Sequence, residues 1–543
     1  MSFTVVPPHG WQRSTFETPF VLRRDNWNDY WFHTTYELYQ VENSRVGDLV
    51  GQVKILRKGQ REKEPHQLQD GFLMQLDDTF CSLGQSLDYY ERLATLDPTL
   101  RQMVLDGLRD AVDHADIAKA FKEERGWSVS LLRSINEDEF FELSRVIVTR
   151  NYSALPRLSL DLTFELQNWS SPVNFRFDAP DVVPFGGSGE ILPQRIAVIV
   201  GANGSGKSTL LARLARVAHA SPRERDALRP LGHLVPEGIG FTRIVAITFS
   251  AFDSFEVPGI NSAERRQIAD DVERGTGRYI FCGLRDIVRE LREDTEAEGD
   301  TDNSAADSDQ PLRTERRAQT LLKPIEQMAA EFARTVNLIR RTGRQELLEE
   351  SLGPLLQDPS FGELSDEFRT AAQLLGDDPA SAYLAWSTGH KIVLHVVLSL
   401  VAYIERKSLV LFDEPEAHLH PPLLAALMHS IRIVLRRQDS FAVVATHSPV
   451  VLQETLSRQV HMARREGATF SVFPAAIQTF GENIGTLTRE VFALTTDVTD
   501  YHAVLRRLRE AYQTIDEIES LFDGELSMQA RAFLMSLFAE REP

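Results

Sequence analysis

The chain has 543 residues, 42% of them hydrophobic and 25% charged, with a formal net charge of −20. That length exceeds what one hydrophobic core holds, so two or three modules are expected. The acidity excludes a protein that coats nucleic acid by bulk charge, while leaving room for a local basic groove or for a partner that carries such contacts.

The two cysteines, Cys81 and Cys282, form neither a disulfide framework nor a zinc spacing, as expected of a cytoplasmic protein. No basic and apolar signal segment is read at the start. The longest apolar run, residues 393–404, is too short for a bilayer, so no membrane partner is expected.

Residues 1–155 read as an N-terminal α+β module without a chemical motif. Strands are expected at 30–41 and 48–57, and a helix over 98–124 with Asp97 as cap and Pro98 in its first turn. Lys54, Arg57, Lys58, Arg61 and Lys63 cluster near the second strand. Glu62 and Glu64 interrupt them, which favours a solvated hairpin end over a nucleic-acid contact.

From residue 157 apolar residues alternate: Leu158, Leu160, Leu162 and Phe164, then Val173, Phe175 and Phe177. Antiparallel strands are expected there, leading into a glycine-rich turn at 185–189. Residues 195–200 form a buried-strand run, followed by Gly201, Ala202, Asn203, Gly204, Ser205, Gly206, Lys207 and Ser208. Helical spacing begins at Thr209.

Strand, G-x-x-x-x-G-K-S loop and helix in that order make a phosphate cradle. Glycines let the backbone N–H groups point at phosphate oxygens, and the helix adds its positive end. Lys207 is expected on the β- and γ-phosphates of ATP, and the Ser208 hydroxyl on Mg²⁺.

Further buried strands are expected at 243–249 and 278–281. Residues 293–310 carry eight acidic and no basic side chains and read as a disordered loop. Helical spacing from 324 to about 375 makes 251–380 a mostly helical insertion between two halves of a nucleotide core, 156–250 and 381–495. Residues 496–543 read as a helical tail, with a helix over 500–522.

In the second half, the run Ser408-Leu-Val-Leu-Phe412 ends in Asp413 and Glu414. Carboxylates at the C-terminal edge of a buried strand sit where ligands bind in open α/β sheets. Asp413 is placed to hold the Mg²⁺ shell and Glu414 to polarise the attacking water. Ser387 and Gly389, before the apolar helix 392–404, suit an anion at a helix N-terminus. His447 follows a third strand, 441–445, and suits a γ-phosphate sensor.

Gly201 to Ser208, Ser387-Thr-Gly-His-Lys391, the Asp413-Glu-Pro-Glu-Ala-His-Leu-His-Pro421 stretch and Thr446-His-Ser-Pro449 resemble the Walker A, signature, Walker B and switch-histidine motifs of ABC-type ATPases. The wording is similar to the overcoming-lysogenisation nuclease and RecF-like group. The resemblance implies an α/β fold: an ABC-type P-loop head whose mixed sheet has flanking antiparallel strands. It also implies a homodimer sandwiching two ATP molecules, with Ser387 and Gly389 acting in trans to Lys207.

Two departures stand out. His390 replaces the Glu or Gln of many relatives, and no glutamine follows strand 243–249, where Ser250 or Asp253 is the candidate substitute. His418 and His420 fit a dimer contact better than a metal pair.

The tail holds neither a separated acidic cluster of the Toprim kind nor a zinc-ligated H-N-H arrangement, so no nuclease activity of its own is expected. Residues 27–32, 249–253, 279–285 and 479–485 resemble the ATPase subunits of Septu-type antiphage systems, some of them carried by retrons. That resemblance implies a separate HNH endonuclease partner and, in retrons, a reverse transcriptase with its RNA–DNA product. The alternative is a RecF-like repair ATPase that binds DNA directly. A transporter's energy subunit fits less well, given the insertion and the N-terminal module.

Overall fold

The computed structural model describes residues 2–26, 29–133, 135–157, 159–166, 169–178, 192–251, 253, 256–259, 262–297, 317, 319–362, 376–467, 469–492, 500–522 and 525–539. The glycine-rich turn at 185–189 lies outside them. Among the described residues no helix is long and apolar enough to cross a membrane.

The N-terminal module is built on a six-stranded sheet of β1 (Phe3–Val6), β2 (Phe20–Arg24), β3 (Thr35–Glu42), β4 (Arg45–Arg57), β5 (Gly71–Leu73) and β6 (Phe80–Gly84), in the order β5-β1-β2-β3-β4-β6. β3 and β4 form a hairpin whose two linking residues, Asn43 and Ser44, take φ of 51° and 62°, the left-handed geometry a two-residue turn requires.

The single helix expected over 98–124 is two, Pro98–Gly107 and Ala115–Phe121. The break has a buried cause. Asp110 is 1% exposed and accepts from the Val112 N–H at 2.8 Å and the Tyr90 hydroxyl at 3.1 Å, holding a turn where helical hydrogen bonds would otherwise continue.

The solvated reading of the basic cluster fails at Lys54, which is buried and paired with Asp29 at 2.7 Å. Burial pulls the Lys54 ammonium below its usual range, against the opposing pull of Asp29.

β7 (Asp161–Glu165), β8 (Val173–Arg176) and β10 (His233–Val235) form a small antiparallel sheet. The central sheet contains β9 (Ile196–Val200), β11 (Ile244–Thr248), β12 (Tyr279–Gly283), β13 (Leu409–Asp413), β14 (Phe441–Thr446), β15 (Val460–Glu466) and β16 (Thr469–Pro474), in the order β12-β11-β13-β14-β9-β15-β16. All pairings are parallel except β15 with β16. This is the α/β class with a mixed sheet and flanking antiparallel strands.

Helices cover both faces of the sheet, which is why strands such as β9 and β14 are buried throughout. Helix Lys207–His219 and the small sheet share the core on one face. Helices Ile325–Thr342, Gln345–Leu356, Thr388–Tyr403 and Pro421–Arg437 share the core on the other. The span 251–380 is therefore no appendage: it supplies edge strand β12 and two helices of the main core.

Helix Ile287–Ala297 takes up the first five residues of the acidic stretch, correcting the expectation of a loop from 293; residues 298–310 lie outside the described set. In the tail, the helix expected over 500–522 ends at Ala511. A reciprocal cap between Thr514 and Glu517 starts a new one, Ile515–Ser520. These two and helix Met528–Ala539 enclose a small core of Leu505, Ile518 and Leu534.

The N-terminal module is joined to the central sheet by an ionic seam. On helix Leu87–Thr95, Asp88, Glu91 and Arg92 share one face by their i, i+3, i+4 spacing. Asp88 meets Arg278 at 2.9 Å, Glu91 meets Arg243 at 2.8 Å and Arg92 meets Asp271 at 2.9 Å. Arg243 and Arg278 immediately precede β11 and β12. The module thus docks on the N-terminal edge of the parallel strands, opposite their C-terminal edge.

Candidate functional site

The strand registers set the site. β11, β13, β14 and β9 align Thr248 with Asp413, Asp413 with Ala445, and Thr446 with Val200. The glycine loop, the carboxylate pair and His447 therefore all leave the sheet at the same C-terminal edge.

The loop between β9 and helix Lys207–His219 turns on glycines for two distinct reasons. Gly204 and Gly206 take φ of 80° and 92°, where a side chain is strained. A Cβ on Gly201 would stand 2.3 Å from the Ala463 carbonyl oxygen, so close packing demands glycine there. Ala202 and Asn203 are exposed at the loop tip, and Thr209 is half-buried in the first helical turn.

Lys207 is buried, and its ammonium folds back to donate to the carbonyls of Gly201 at 2.9 Å and Ala202 at 3.3 Å. Burial lowers its basicity, and the nearby acids Asp413, Glu414 and Glu416 oppose that effect.

Asp413 is pushed up to about 7, first by burial and then by the charges of Glu414 and Asp253, against a hydrogen bond from Ser208 and the charge of Lys207. Among the described residues its Oδ1 is buried without a hydrogen-bond partner, as is Ser205 Oγ. A buried, unsatisfied carboxylate oxygen beside a hydroxyl and further acids is the donor set a hard divalent cation takes. The residues present therefore fit a divalent cation such as Mg²⁺.

Glu414 departs from ordinary backbone geometry, with φ of 49°, and its N–H donates to the Ala445 carbonyl at 2.9 Å. That bond ties the carboxylate-bearing turn to the neighbouring strand. A non-glycine residue held in the left-handed region at a ligand edge is strain of the functional kind.

Glu416 was given no role by the sequence. Its carboxylate accepts from the Thr446 hydroxyl at 2.7 Å and the His447 N–H at 2.7 Å, and lies 2.9 Å from His447 Nδ1. It thus orients the half-exposed His447. The signal available was its place two residues after Glu414, but its partners lie thirty positions away.

Of the two candidates for the place of the missing glutamine, Asp253 is the one whose charge reaches Asp413; it is paired with Arg285 at 3.2 Å and shares a cleft with Ser208 and Asp413. A further pair escaped the sequence reading. Trp169 and Phe470 stack at 5.4 Å, and Phe470 lies against Gly206.

Ser387 and Gly389 are not brought to this cluster by any contact among the described residues. Ser387 caps helix Thr388–Tyr403, and Gly389 lies beside the His418 carbonyl and the side chains of Leu419 and Leu423. His420 serves as a helix cap, its Nδ1 accepting from the Leu423 N–H at 3.3 Å.

Residues 196–453 match the AAA_21 family, described as "AAA domain, putative AbiEii toxin, Type IV TA system". This P-loop ATPase domain contains the loop, the carboxylate pair and His447. Looser overlaps occur with a crystal structure of an ATP-binding cassette of an ABC transporter in its ADP conformation (12% identity, 58% of this chain, 90% of that one, TM-score 0.26) and with an SmcHead bound to the C-winged helix domain of ScpA (14% identity, 59% and 97%, TM-score 0.24). Overlaps that loose carry no inference.

Protein ea59 of Escherichia phage lambda is 30% identical over 552 aligned positions, covering 100% of this chain and 99% of that protein. With both chains matched from end to end, this protein belongs to the family of phage lambda protein ea59.

Proposed function

We propose that the chain binds and hydrolyses ATP as a switch, with two copies closing around the nucleotides. The observation that carries this reading is the orphaned Asp413 oxygen beside Ser208 and Lys207 at the mouth of the glycine loop. Lys207 would leave the Gly201 and Ala202 carbonyls for the β- and γ-phosphates. Trp169 and Phe470 would flank the base.

Ser208 and Asp413 would hold Mg²⁺, which supplies charge neutralisation for the phosphates. Glu414 would take a proton from the water that attacks the γ-phosphorus while the bond to ADP breaks. Glu416 would hold His447 toward the γ-phosphate. Ser387 and Gly389, remote from their own loop by contact, would complete the other copy's site.

The finer reading is a regulatory subunit of an antiphage complex that controls a separate HNH nuclease, within a retron or outside one. Motif resemblance supports it. The test has two parts. Purified protein should turn over ATP only with Mg²⁺, and Glu414→Gln should bind ATP without turnover; parent-rate hydrolysis by that variant overturns the assignment. Copurification with neighbouring gene products tests the effector. Salt-sensitive DNA binding by the chain alone would favour the RecF-like alternative.

A further inference from the structure

We propose that His390 is a positioning residue that decides whether the Ser387 hydroxyl points its proton inward or offers it to a phosphate, through a relay Ser387–His390–Ser360–Asp358. This rests on the reading that Ser387 meets the nucleotide of a second copy.

The directions of the hydrogen bonds follow from what each group has to give. The Asp358 carboxylate is 7% exposed and only accepts. It takes the Ser360 N–H at 2.9 Å and the Ser360 hydroxyl proton at 2.5 Å. Ser360 has no second hydroxyl proton, so its oxygen must accept from His390 Nε2, 3.1 Å away. Nε2 therefore carries the hydrogen.

In a neutral imidazole Nδ1 is then bare. Ser387 Oγ lies 2.9 Å from it and must donate to it. The same oxygen accepts the His390 N–H at 3.3 Å as the helix cap. In this state the hydroxyl proton is spent inside the chain, and Ser387 shows an approaching phosphate only a lone pair.

Adding one proton to His390 reverses the first link. Nδ1–H then donates to Ser387 Oγ, and the Ser387 proton is free for a phosphate oxygen. Ser387 is exposed, whereas His390 is 7% exposed beneath the Phe361 ring at 4.4 Å. Among the described residues, the titratable groups that face the imidazole are Asp358 and His420. Burial makes His390 harder to protonate, Asp358 opposes that, and His420 adds to it. The neutral, locked state is thus the resting one, and an anion at Ser387 draws in a proton.

The experiment measures ATP-driven association of the Glu414→Gln chain by sedimentation from pH 6 to 8.5, in that background alone and with His390→Gln or Ser360→Ala added. Association of the background should weaken as pH rises, by about tenfold per pH unit for each engaged histidine. His390→Gln removes the titrating group and should flatten the profile. Ser360→Ala frees Nε2 from its acceptor, allows the proton onto Nδ1, and should also flatten it while keeping association at high pH. ATP binding by each single chain is the folding control, since the relay does not touch the glycine loop.

A background profile that is flat while ATP-driven dimers form overturns the relay alone, as does a steep profile retained by folded His390→Gln. Absence of ATP-driven association at every pH overturns the two-copy site itself, and the relay with it.

Discussion

Replacing Glu91 by leucine should detach the N-terminal module from the ATPase core. Glu91 is fully buried, 2.8 Å from Arg243 and 3.3 Å from Arg150, and the Tyr152 hydroxyl donates to it at 3.4 Å. Arg150 is 40% exposed and turns to water at little cost, but Arg243 is 8% exposed and has no such exit. Burial pulls the Arg243 guanidinium down, and Glu91, followed by Tyr152 and Glu405, more than offsets it, so it stays charged. Removing one partner of a buried pair costs about 3–5 kcal/mol, because the other charge is left stranded. Replacing both, Glu91→Leu with Arg243→Met, removes the stranded charge and should recover most of that loss. Guanidinium unfolding followed by tryptophan fluorescence reads the module, which holds four of the six tryptophans. A single variant within about 1 kcal/mol of the parent, or a double variant no better than the single, refutes the reasoning.

Lys207→Ala should lose both ATP binding and turnover in a nucleotide-binding assay. Glu416→Gln leaves the sheet intact but gives His447 a neutral acceptor with fewer lone pairs; turnover should fall about tenfold or more with ATP affinity little changed. A Cβ on Gly389 would meet its nearest atom at 3.4 Å, ordinary contact, so Gly389→Ala should fold and bind ATP yet fail to associate. Without Mg²⁺, Asp413 ionises near 7 rather than near its ordinary value of about 3.9, so the fold, which keeps it protonated, loses stability progressively above that lower value, and the loss is complete above 7. Asp413→Asn should therefore raise the melting point more at pH 8 than at pH 4.5. The opposite sign holds at the seam. Burial pushes Asp88 up, but Arg278 and His219 outweigh it and hold it well below the carboxylate range, so its contribution is complete above about 4 and fades as pH falls further.

What was legible in the chain was local. The loop from Gly201 to Ser208 and the acids Asp413 and Glu414 each occupy one strand and its exit, so spacing and residue type suffice to place them. The parts that escaped are pairings between distant positions. Asp88, Glu91 and Arg92 show the spacing of one helix face, but nothing local names Arg278, Arg243 and Asp271 as their partners. Glu416 was visible as a letter of a motif, and its hold on His447 appears only when β13 and β14 lie side by side. The helix read over 98–124 failed because periodicity counts apolar positions, while the buried side chain of Asp110 supplies a competing turn. Lys54 was read as solvated for the same reason: its partner Asp29 lies outside any local window.

The two-copy ATP site is tested most directly by the mass of the Glu414→Gln protein in solution. With ATP and Mg²⁺ it should sediment as a dimer, and with ADP or without nucleotide it should not. A chain that binds ATP with Mg²⁺ and keeps the same mass in all three conditions contradicts the composite site.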